Sequence, residues 1–316
     1  MKFVIISPRQ RWGGAIALHA LCKYLSESGH DARIFYCGVT RYDKDHPGRF
    51  WLQMLKYLAG DAARWVLAHL NRKLRFSAAY VHPPVPGCRR KYLPFVGEDT
   101  IVVYPESVFG NFLHAKKTVR WLLNVNPFPE NTSEAYGENA LFIAYRSVFN
   151  DPKLNPAGHT VEISYFDLDT YRQYNFGQRK GNCYIVRKGG NRPDLPKELD
   201  GIVIDRLSEE DIVRVFNESE YCISYDPQTS YASIAALCGC TSVVIPEPGK
   251  GRGDYLSAED DSSGIAFGFS EEEISYAKQT RYKVRELFED SNRQGMAEAQ
   301  RFAELCEVYF AEKEMC

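Results

Sequence analysis

Charged and hydroxyl side chains follow two apolar runs of the sequence, where they could bind or activate a substrate. Glu106 comes directly after "TIVVYP", and Asp226 follows "YCISY". A carboxylate in such a place can accept a proton from a hydroxyl group or bind it by hydrogen bonding. Thr229 and Ser230 lie at the expected start of a helix, where hydroxyl and N–H groups can bind phosphate. The alternatives are a surface Glu106 that caps the next helix, and Thr229 or Ser230 as a simple N-cap.

Two further loops combine glycines with cations or with the start of a helix. "VRKGGNRP" places Arg187 and Lys188 beside Gly189 after an apolar run. Paired cations with free backbone amides suit a diphosphate, and a basic surface turn is the alternative. "RQRWGGA" places Gly13 and Gly14 before a helix, where glycine lets a ligand approach backbone N–H groups. That loop lacks the G-x-G-x-x-G pattern, so a tight turn explains it equally well.

The elements that must position these loops alternate between strand and helix. Short β-branched runs such as "KFVIIS" predict buried strands, and "SEEDIVRVFNESE" predicts a helix with Ser208 as its cap. "TIVVYPE" predicts a strand and "KTVRWLLN" a helix. The alternation predicts an α/β fold with two Rossmann-like doubly wound domains facing one another across a cleft, at 1–155 and 156–290. A final helix at 291–316 is expected to pack back on the N-terminal domain.

Composition narrows the class of protein. The 316 residues are 44% hydrophobic, which is enough for two cores. Lys and Arg total 39 against 41 Asp and Glu, so no global basic field argues for a nucleic-acid partner. Nine cysteines at irregular spacings, among them Cys183, Cys222 and Cys238 in apolar runs, predict buried thiols. With no signal-peptide pattern and no run of about 18 apolar residues, we expect a cytoplasmic protein.

The two-half layout and the stretch from Asp226 through "IAALCGCTSVV" resemble the donor half of GT-B-fold glycosyltransferases. Many retaining members carry two glutamates eight positions apart, followed by a small-residue helix, Cys-Gly and an apolar strand. The resemblance implies that Asp226 contacts the donor sugar and that Arg187 and Lys188 hold the donor diphosphate. Ile234 stands where the second acid is expected, so Glu247 in "PEPGKGRGD" is the candidate ribose contact. "YPESVFGNFLHAKKTVRWLLN" also looks like a segment of glycosyltransferases that assemble bacterial polysaccharide, in lipopolysaccharide or capsule.

The resemblance implies transfer of a sugar from a nucleoside diphosphate donor to a hydroxyl of a glycan or glycolipid acceptor. The nucleotide sugar is a substrate, and no cofactor is expected. Cations and helix dipoles would stabilise the leaving diphosphate in place of a metal. Glu106 and Asp226 are the catalytic candidates, and Gly13, Gly14 and Asn111 are assigned to the acceptor side of the cleft. The alternatives are a nucleotide-sugar epimerase of the same architecture and a non-catalytic subunit of glycan assembly.

A stretch at 49–76, "RFWLQMLKYLAGDAARWVLAHLNRKLRF", mixes Trp, Leu and Tyr with Lys and Arg. A pair of basic amphipathic helices could lie on the anionic inner face of the cytoplasmic membrane and present a lipid-linked acceptor. The alternative is a helix that covers the sheet, with cations whose charged ends reach back to water.

Overall fold

The chain forms two compact units in a computed structural model that describes residues 1–9, 13–42, 45–72, 74, 80, 85–125, 136, 140–256 and 261–314. Unit 1 comprises Met1–Tyr165 with Ser291–Cys316, and unit 2 comprises Phe166–Asp290. The boundary therefore falls at 165/166, whereas the sequence placed it at 155/156. The C-terminal segment belongs to unit 1.

Unit 1 is a parallel sheet with helices. Within its described residues the strands are β1 (Lys2–Ser7), β2 (Asp31–Tyr36), β3 (Thr100–Pro105), β4 (Lys117–Leu122) and β5 (Leu141–Ala144), in the spatial order β2-β1-β3-β4-β5. Every neighbouring pair runs parallel. Before β3, the described residues form helices α1 (Gly13–Glu27) and α2 (Pro47–Leu70). Because parallel strands are covered on both faces, they read as apolar runs, and all six residues of β3 are buried.

Helix α1 ends as its sequence predicts. Gly29 has φ +88°, the left-handed conformation that glycine adopts without a steric penalty. The N–H of His30 donates to the Leu25 carbonyl at 2.9 Å, and that of Gly29 to the Ser26 carbonyl at 3.2 Å. These bonds satisfy carbonyls that the helix end leaves without partners, and they turn the chain into β2.

The prediction of a helix at "KTVRWLLN" is wrong, because Lys117–Leu122 form β4 between β3 and β5. The misleading residue is Arg120, which breaks the apolar run but is fully buried. Its guanidinium donates to the carbonyls of Val108 at 2.6 Å, Gly110 at 2.8 Å and Tyr136 at 2.9 Å. Desolvation lowers the pKa of Arg120 to about 10. Arg120 therefore holds the loop that follows β3 in place by hydrogen bonds to its backbone.

Helix α2 is one continuous helix, whereas the sequence predicted a helix pair at 49–76. It begins with Pro47 at a position where proline is tolerated, and its buried residues Phe50, Met54, Asp61 and Ala68 recur at helical spacing. Residues 73, 75 and 76 of the predicted stretch lie outside the described residues. Within the described part of the chain, no helix is long and apolar enough to cross a membrane.

Unit 2 repeats the plan of unit 1 with shorter strands. Its strands are β6 (Asn182–Ile185), β7 (Ile202–Val203), β8 (Tyr221–Ser224), β9 (Thr241–Val244) and β10 (Ile265–Phe267), and the described ones are ordered β7-β6-β8-β9-β10. All pairs are again parallel. Its helices are α3 (Glu209–Glu218), α4 (Ser230–Leu237) and α5 (Glu271–Thr280), and α6 (Val284–Glu314) continues from unit 2 into unit 1.

Several local predictions for unit 2 are confirmed. Ser208 caps α3, and its Oγ accepts the N–H of Asp211 at 3.1 Å. Cys183, Cys222 and Cys238 are buried free thiols. The described residues thus form two doubly wound, five-stranded parallel sheets, which confirms the predicted α/β class.

In unit 1, α6 supplies core residues from the far end of the chain. Ala299, Phe302, Ala303, Cys306 and Phe310 are buried in the same cluster as α1 and the sheet. The N-terminal part of α6 contributes Val284 and Phe288 to the core of unit 2. One long helix therefore takes part in both cores.

Candidate functional site

The strand order of each sheet creates one crevice at the carboxyl ends of its strands. In unit 1 the chain moves to one side of β1 to form β2 and to the other side to form β3. In unit 2 the same reversal separates β6 from β8. Loops on the two sides of such a switch point diverge and leave room for a ligand. The four predicted loops follow β1, β3, β6 and β8, so two of them flank the switch point of each unit.

The switch point of unit 1 contains a cavity of about 310 Å³. The cavity lies where β1 and β3 end and α1 begins. Its lining residues are Pro8, Gly14, Ala15, Leu18, Pro105, Glu106, Ser107, Leu123 and Asn124. Most of these side chains are small or apolar, and Glu106 is the charged residue among them. This composition is typical of a small-molecule site with one chemically active group.

Glu106 occupies the position that the sequence predicts, directly after β3. The residue is only 9% exposed. Its Oε2 accepts the N–H of Leu123, from the end of β4, at 2.9 Å. Its carbonyl accepts the hydroxyl of Tyr136 at 3.0 Å. The first contact holds the carboxylate at the cavity wall, and the second holds the backbone of Glu106.

The environment of Glu106 changes its acidity. Burial raises the pKa of Glu106, and the hydrogen bond from Leu123 opposes part of that rise. A raised pKa moves the carboxylate toward the range in which it accepts and releases protons near neutral pH. The geometry therefore permits Glu106 to act as a general base on a group in the cavity.

Gly13 and Gly14 form the start of α1 at the cavity. A Cβ atom at position 13 would meet nothing within 4 Å, and one at position 14 would lie 3.5 Å from Cδ1 of Leu123. Crowding therefore does not demand glycine at either place. Glycine does leave the first backbone N–H groups of the helix open to a ligand. The rest of the predicted loop, residues 10–12, lies outside the described residues.

Asn111, predicted on the acceptor side, makes hydrogen bonds within the loop after β3. Its Oδ1 accepts the hydroxyl of Tyr104 and the N–H of Ala115, both at 3.0 Å. Its Nδ2 donates to the carbonyl of Ala115 at 2.8 Å. Because both ends of the amide are engaged in these bonds, Asn111 stabilises the loop after β3.

In unit 2, the loop after β6 is a 3-10 turn at Arg187–Asn191 whose amides are largely engaged. The carboxylate of Asp205 accepts the N–H of Val186 at 3.2 Å and that of Arg187 at 2.6 Å. The N–H of Gly189 donates to the Val186 carbonyl at 2.7 Å. The expectation of free backbone amides is therefore wrong at these three residues.

Gly189, predicted as a diphosphate contact, has a packing role. A Cβ atom there would lie 2.2 Å from the carbonyl oxygen of Tyr225, at the end of β8. No side chain can be accommodated at that distance, so only glycine lets the two loops touch. Gly189 thereby brings the loop after β6 against the loop after β8.

Arg187 links the two loops through its side chain. Its φ of +37° lies in the left-handed region that residues other than glycine seldom adopt. Such strain is typical of functional sites, and here the carboxylate of Asp205 holds it in place. The Arg187 guanidinium lies 4.3 Å from the ring centre of Tyr231, in the first turn of α4. Lys188 beside it is exposed.

The loop after β8 carries the other predicted residues. Asp226 is buried, and its Oδ1 accepts the N–H of Gln228 at 3.3 Å. Thr229 is the N-cap of α4, and its Oγ1 accepts the N–H of Tyr231 at 3.3 Å. The contact that Thr229 makes is therefore that of an N-cap, which was the alternative to phosphate binding. Ser230 is the first residue of α4 and is exposed.

Ile234 stands where the resemblance places a second acid, and Glu247 is the alternative ribose contact. The two residues have different surroundings. Ile234 is buried in the core of unit 2. Glu247 lies in the loop after β9, where its carboxylate pairs with Lys250. Its N–H donates to the hydroxyl of Tyr255 at 2.7 Å.

Arg192 was not predicted from the sequence as a site residue. Its guanidinium donates to the carbonyls of Tyr225 at 3.2 Å, Ile245 at 2.7 Å and Pro246 at 2.8 Å. Arg192 also forms an ion pair with Asp194. Arg192 thus ties the loop after β6 to the loops after β8 and β9. Only the three-dimensional approach of these loops identifies it, since an isolated Arg before Pro carries no signal.

The charges around this switch point are balanced. Arg187 and Lys188 contribute two positive charges, while Asp205 and Asp226 contribute two carboxylates. An anion would therefore be held by individual side chains and by the start of α4, because the loops create no broad positive field. Among the described residues, no group of three or more His, Cys, Asp or Glu side chains could hold a metal ion.

Comparisons with known proteins give structural likeness and nothing at the level of sequence families. No family model matches the chain, and no curated protein matches it. Sucrose-phosphate synthase from Thermosynechococcus elongatus aligns with a TM-score of 0.44 at 10% identity, over 99% of this chain and 100% of that one. An α-glucosyltransferase in complex with UDP and a 13-mer DNA aligns with a TM-score of 0.42 at 11% identity, over 98% and 99%.

A third similar structure is MurG from Acinetobacter baumannii, with a TM-score of 0.34 at 12% identity, over 98% of this chain and 100% of that one. These TM-scores are too low to transfer an activity or a ligand. One of the three structures contains DNA. The expectation of no nucleic-acid partner stays a prediction.

Proposed function

We propose that this protein is a glycosyltransferase that moves a sugar from a nucleoside diphosphate donor to a hydroxyl group of an acceptor. The observation that carries the proposal is the placement of the candidate residues. Glu106 and the start of α1 flank the switch point of unit 1, and Arg187, Lys188, Asp226 and the start of α4 flank that of unit 2. A transferase binds two substrates, and two such places provide room for one substrate each.

On the acceptor side, Glu106 is the general base. A hydroxyl bound in the cavity of unit 1 donates its hydrogen bond to the Glu106 carboxylate. As the hydroxyl oxygen attacks the anomeric carbon, its proton passes to that carboxylate, and the bond from the anomeric carbon to the diphosphate oxygen breaks. The raised pKa of Glu106 supports this role, since a more basic carboxylate takes up the proton more readily.

On the donor side, Lys188 and the start of α4 bind the diphosphate. Lys188 is exposed in the loop that Asp205 and Arg192 hold in place. Ser230 is exposed where the helix presents its positive end. Asp226 is assigned to the donor sugar and Glu247 to the ribose. These cationic and dipolar groups stabilise the leaving diphosphate, and the proposal includes neither a metal nor a cofactor.

The wider role is proposed from the resemblance of the sequence. The acceptor is a glycan or glycolipid, and the process is the assembly of bacterial polysaccharide, such as lipopolysaccharide or capsule, in the cytoplasm. Support comes from the segment "YPESVFGNFLHAKKTVRWLLN", which contains β4 and the loop that carries Glu106.

The proposal is tested first with ligands. We expect one of a panel of UDP, GDP, CMP and dTDP sugars to raise the unfolding temperature, because a ligand that binds the native state stabilises it. The stabilising nucleotide sugar is then incubated with candidate glycan and glycolipid acceptors, and release of the nucleotide is measured. We expect release to depend on an acceptor.

Two other results would replace the proposal. Conversion of the free nucleotide sugar into another one without an acceptor would identify an epimerase. A chain that binds none of the nucleotides, and whose function tolerates the loss of Glu106 and Asp226, would be a non-catalytic subunit.

A further inference from the structure

Helix α2 carries a second apolar stripe on the side that faces away from the core. Leu52, Leu55, Val66 and Leu70 are 55%, 63%, 48% and 79% exposed. At 3.6 residues per turn, these four side chains fall within about 60° of the helix circumference. The buried residues of α2 are centred about 150° away by the same geometry. The stripe is therefore a separate face that the core leaves exposed.

Cations border this stripe. Arg49 and Lys56 are exposed and lie on one side of it, and Arg64 is exposed further round the same side. The single acidic residue in the sequence of α2 is Asp61. Asp61 is buried and forms ion pairs with Arg9 at 2.9 Å and Arg90 at 3.0 Å. The outward side of α2 is thus apolar and positive.

A neighbouring segment, residues 90–95, is also rich in apolar and positively charged side chains. Its backbone runs along the edge of β2, where the backbone N–H of Lys91 donates to the Ile34 carbonyl at 2.8 Å. Arg90 joins the segment to α2 through Asp61. Tyr92, Leu93 and Phe95, which follow directly, are largely exposed. Exposed aromatic and aliphatic side chains next to Arg and Lys are typical of proteins that lie on membrane surfaces.

We infer that α2 lies on an anionic lipid bilayer, with Leu52, Leu55, Val66 and Leu70 in the headgroup boundary and Arg49 and Lys56 against the lipid phosphates. The charge decides between a bilayer and a second copy of the chain. Pairing two copies of α2 would bring like charges together, whereas an anionic surface attracts them. This inference goes beyond the proposed glycosyl transfer and does not depend on it.

The test is sedimentation of the full chain with vesicles of phosphatidylcholine containing phosphatidylglycerol, and with vesicles of phosphatidylcholine alone. We expect binding to the anionic vesicles that weakens as salt is added. The double variant Leu55→Gln/Val66→Gln should bind at least tenfold more weakly. The matched control is Val148→Gln/Val308→Gln, since these two valines of unit 1 are exposed to a similar degree but lie outside α2. The control should bind like the wild type.

A second variant tests the charges. Arg49→Gln/Lys56→Gln should bind anionic vesicles at least fivefold more weakly, at the strength expected for a cation near an anionic surface. Circular dichroism confirms that each variant folds. Wild-type binding that the Leu55/Val66 change leaves intact would overturn the inference, as would equal binding to neutral vesicles. The inference would also be overturned if the wild type failed to bind anionic vesicles. Self-association of the wild type that Leu55→Gln/Val66→Gln abolishes would overturn it as well. Because no nucleotide is present, none of these outcomes depends on the proposed transferase activity.

Discussion

At the scale of single residues, Glu106 combines burial with a place on a cavity wall. Removing a carboxylate from water disfavours its charged form, so its charged state at neutral pH is unfavourable for the fold. The hydrogen bond from Leu123 compensates only in part. A buried carboxylate that lowers the stability of the fold is expected where its reactivity serves function. General-base catalysis is the function proposed for Glu106.

The variant Glu106→Gln separates activity from stability. We expect the rate of sugar transfer to fall by about 10²- to 10⁴-fold, the usual contribution of a general base. Between the ordinary pKa of 4.5 and the raised pKa of the folded state, the folded chain binds the proton more readily than the unfolded chain. The free energy of unfolding of the wild type therefore decreases, relative to the variant, as pH rises through this range.

Urea unfolding of both chains between pH 4 and pH 8, with rate measurements at pH 7, checks this prediction. Glu98→Gln is the control, because Glu98 is an exposed acid of unit 1 paired with Lys116. It should leave the rate unchanged. A Glu106→Gln chain that keeps its transfer rate, or that is less stable than the wild type at neutral pH, would contradict the role given to Glu106.

At the scale of elements, the switch point of unit 2 depends on loops that meet closely. Gly189 allows the loop after β6 to touch the carbonyl of Tyr225, and Arg192 binds the same carbonyl from its side chain. The donor loops are therefore one packed assembly, and the position of Lys188 depends on it.

Two adjacent glycines test this packing. Gly189→Ala would place a Cβ atom 2.2 Å from the Tyr225 oxygen, so the loop must shift. We expect a loss of about 1–3 kcal/mol in the free energy of unfolding, as for other overpacked sites, and weaker nucleotide binding. Gly190→Ala would meet only Val186 Cγ1 at 3.8 Å and should change stability by less than about 0.5 kcal/mol. Equal stabilities in urea unfolding would show that the contact is unimportant.

The same scale shows what the sequence predicted well. Apolar runs located β1, β3 and β8 because buried parallel strands need such residues on both faces, and Ser208 marked the start of α3. "KTVRWLLN" was assigned to a helix because nothing local reveals that Arg120 finds its partners in carbonyls of other segments. Tertiary contacts, not local preference, decide such a run.

At the scale of the whole molecule, both units have the same strand order, although the sequence shows no repeat. This order explains why the candidate loops could be selected from the sequence at all. Alternating strands and helices imply parallel sheets, and ligands of parallel sheets bind at the carboxyl ends of strands. The state of the amides in the loop after β6 could not be predicted, because Asp205, which occupies two of them, comes from beyond β7.

We propose that the loops at the switch point of unit 2 bind a nucleoside diphosphate. Isothermal titration calorimetry with UDP, GDP, CDP and dTDP tests it most directly, on the wild type, on Lys188→Ala and on the control Lys283→Ala, an exposed lysine of unit 2 outside these loops. We predict one saturable site for at least one nucleotide. Its Kd should rise about tenfold or more in Lys188→Ala, as expected for losing a charged hydrogen bond, and stay unchanged in Lys283→Ala. Absence of binding by the wild type, or equal affinity in Lys188→Ala, would contradict the claim.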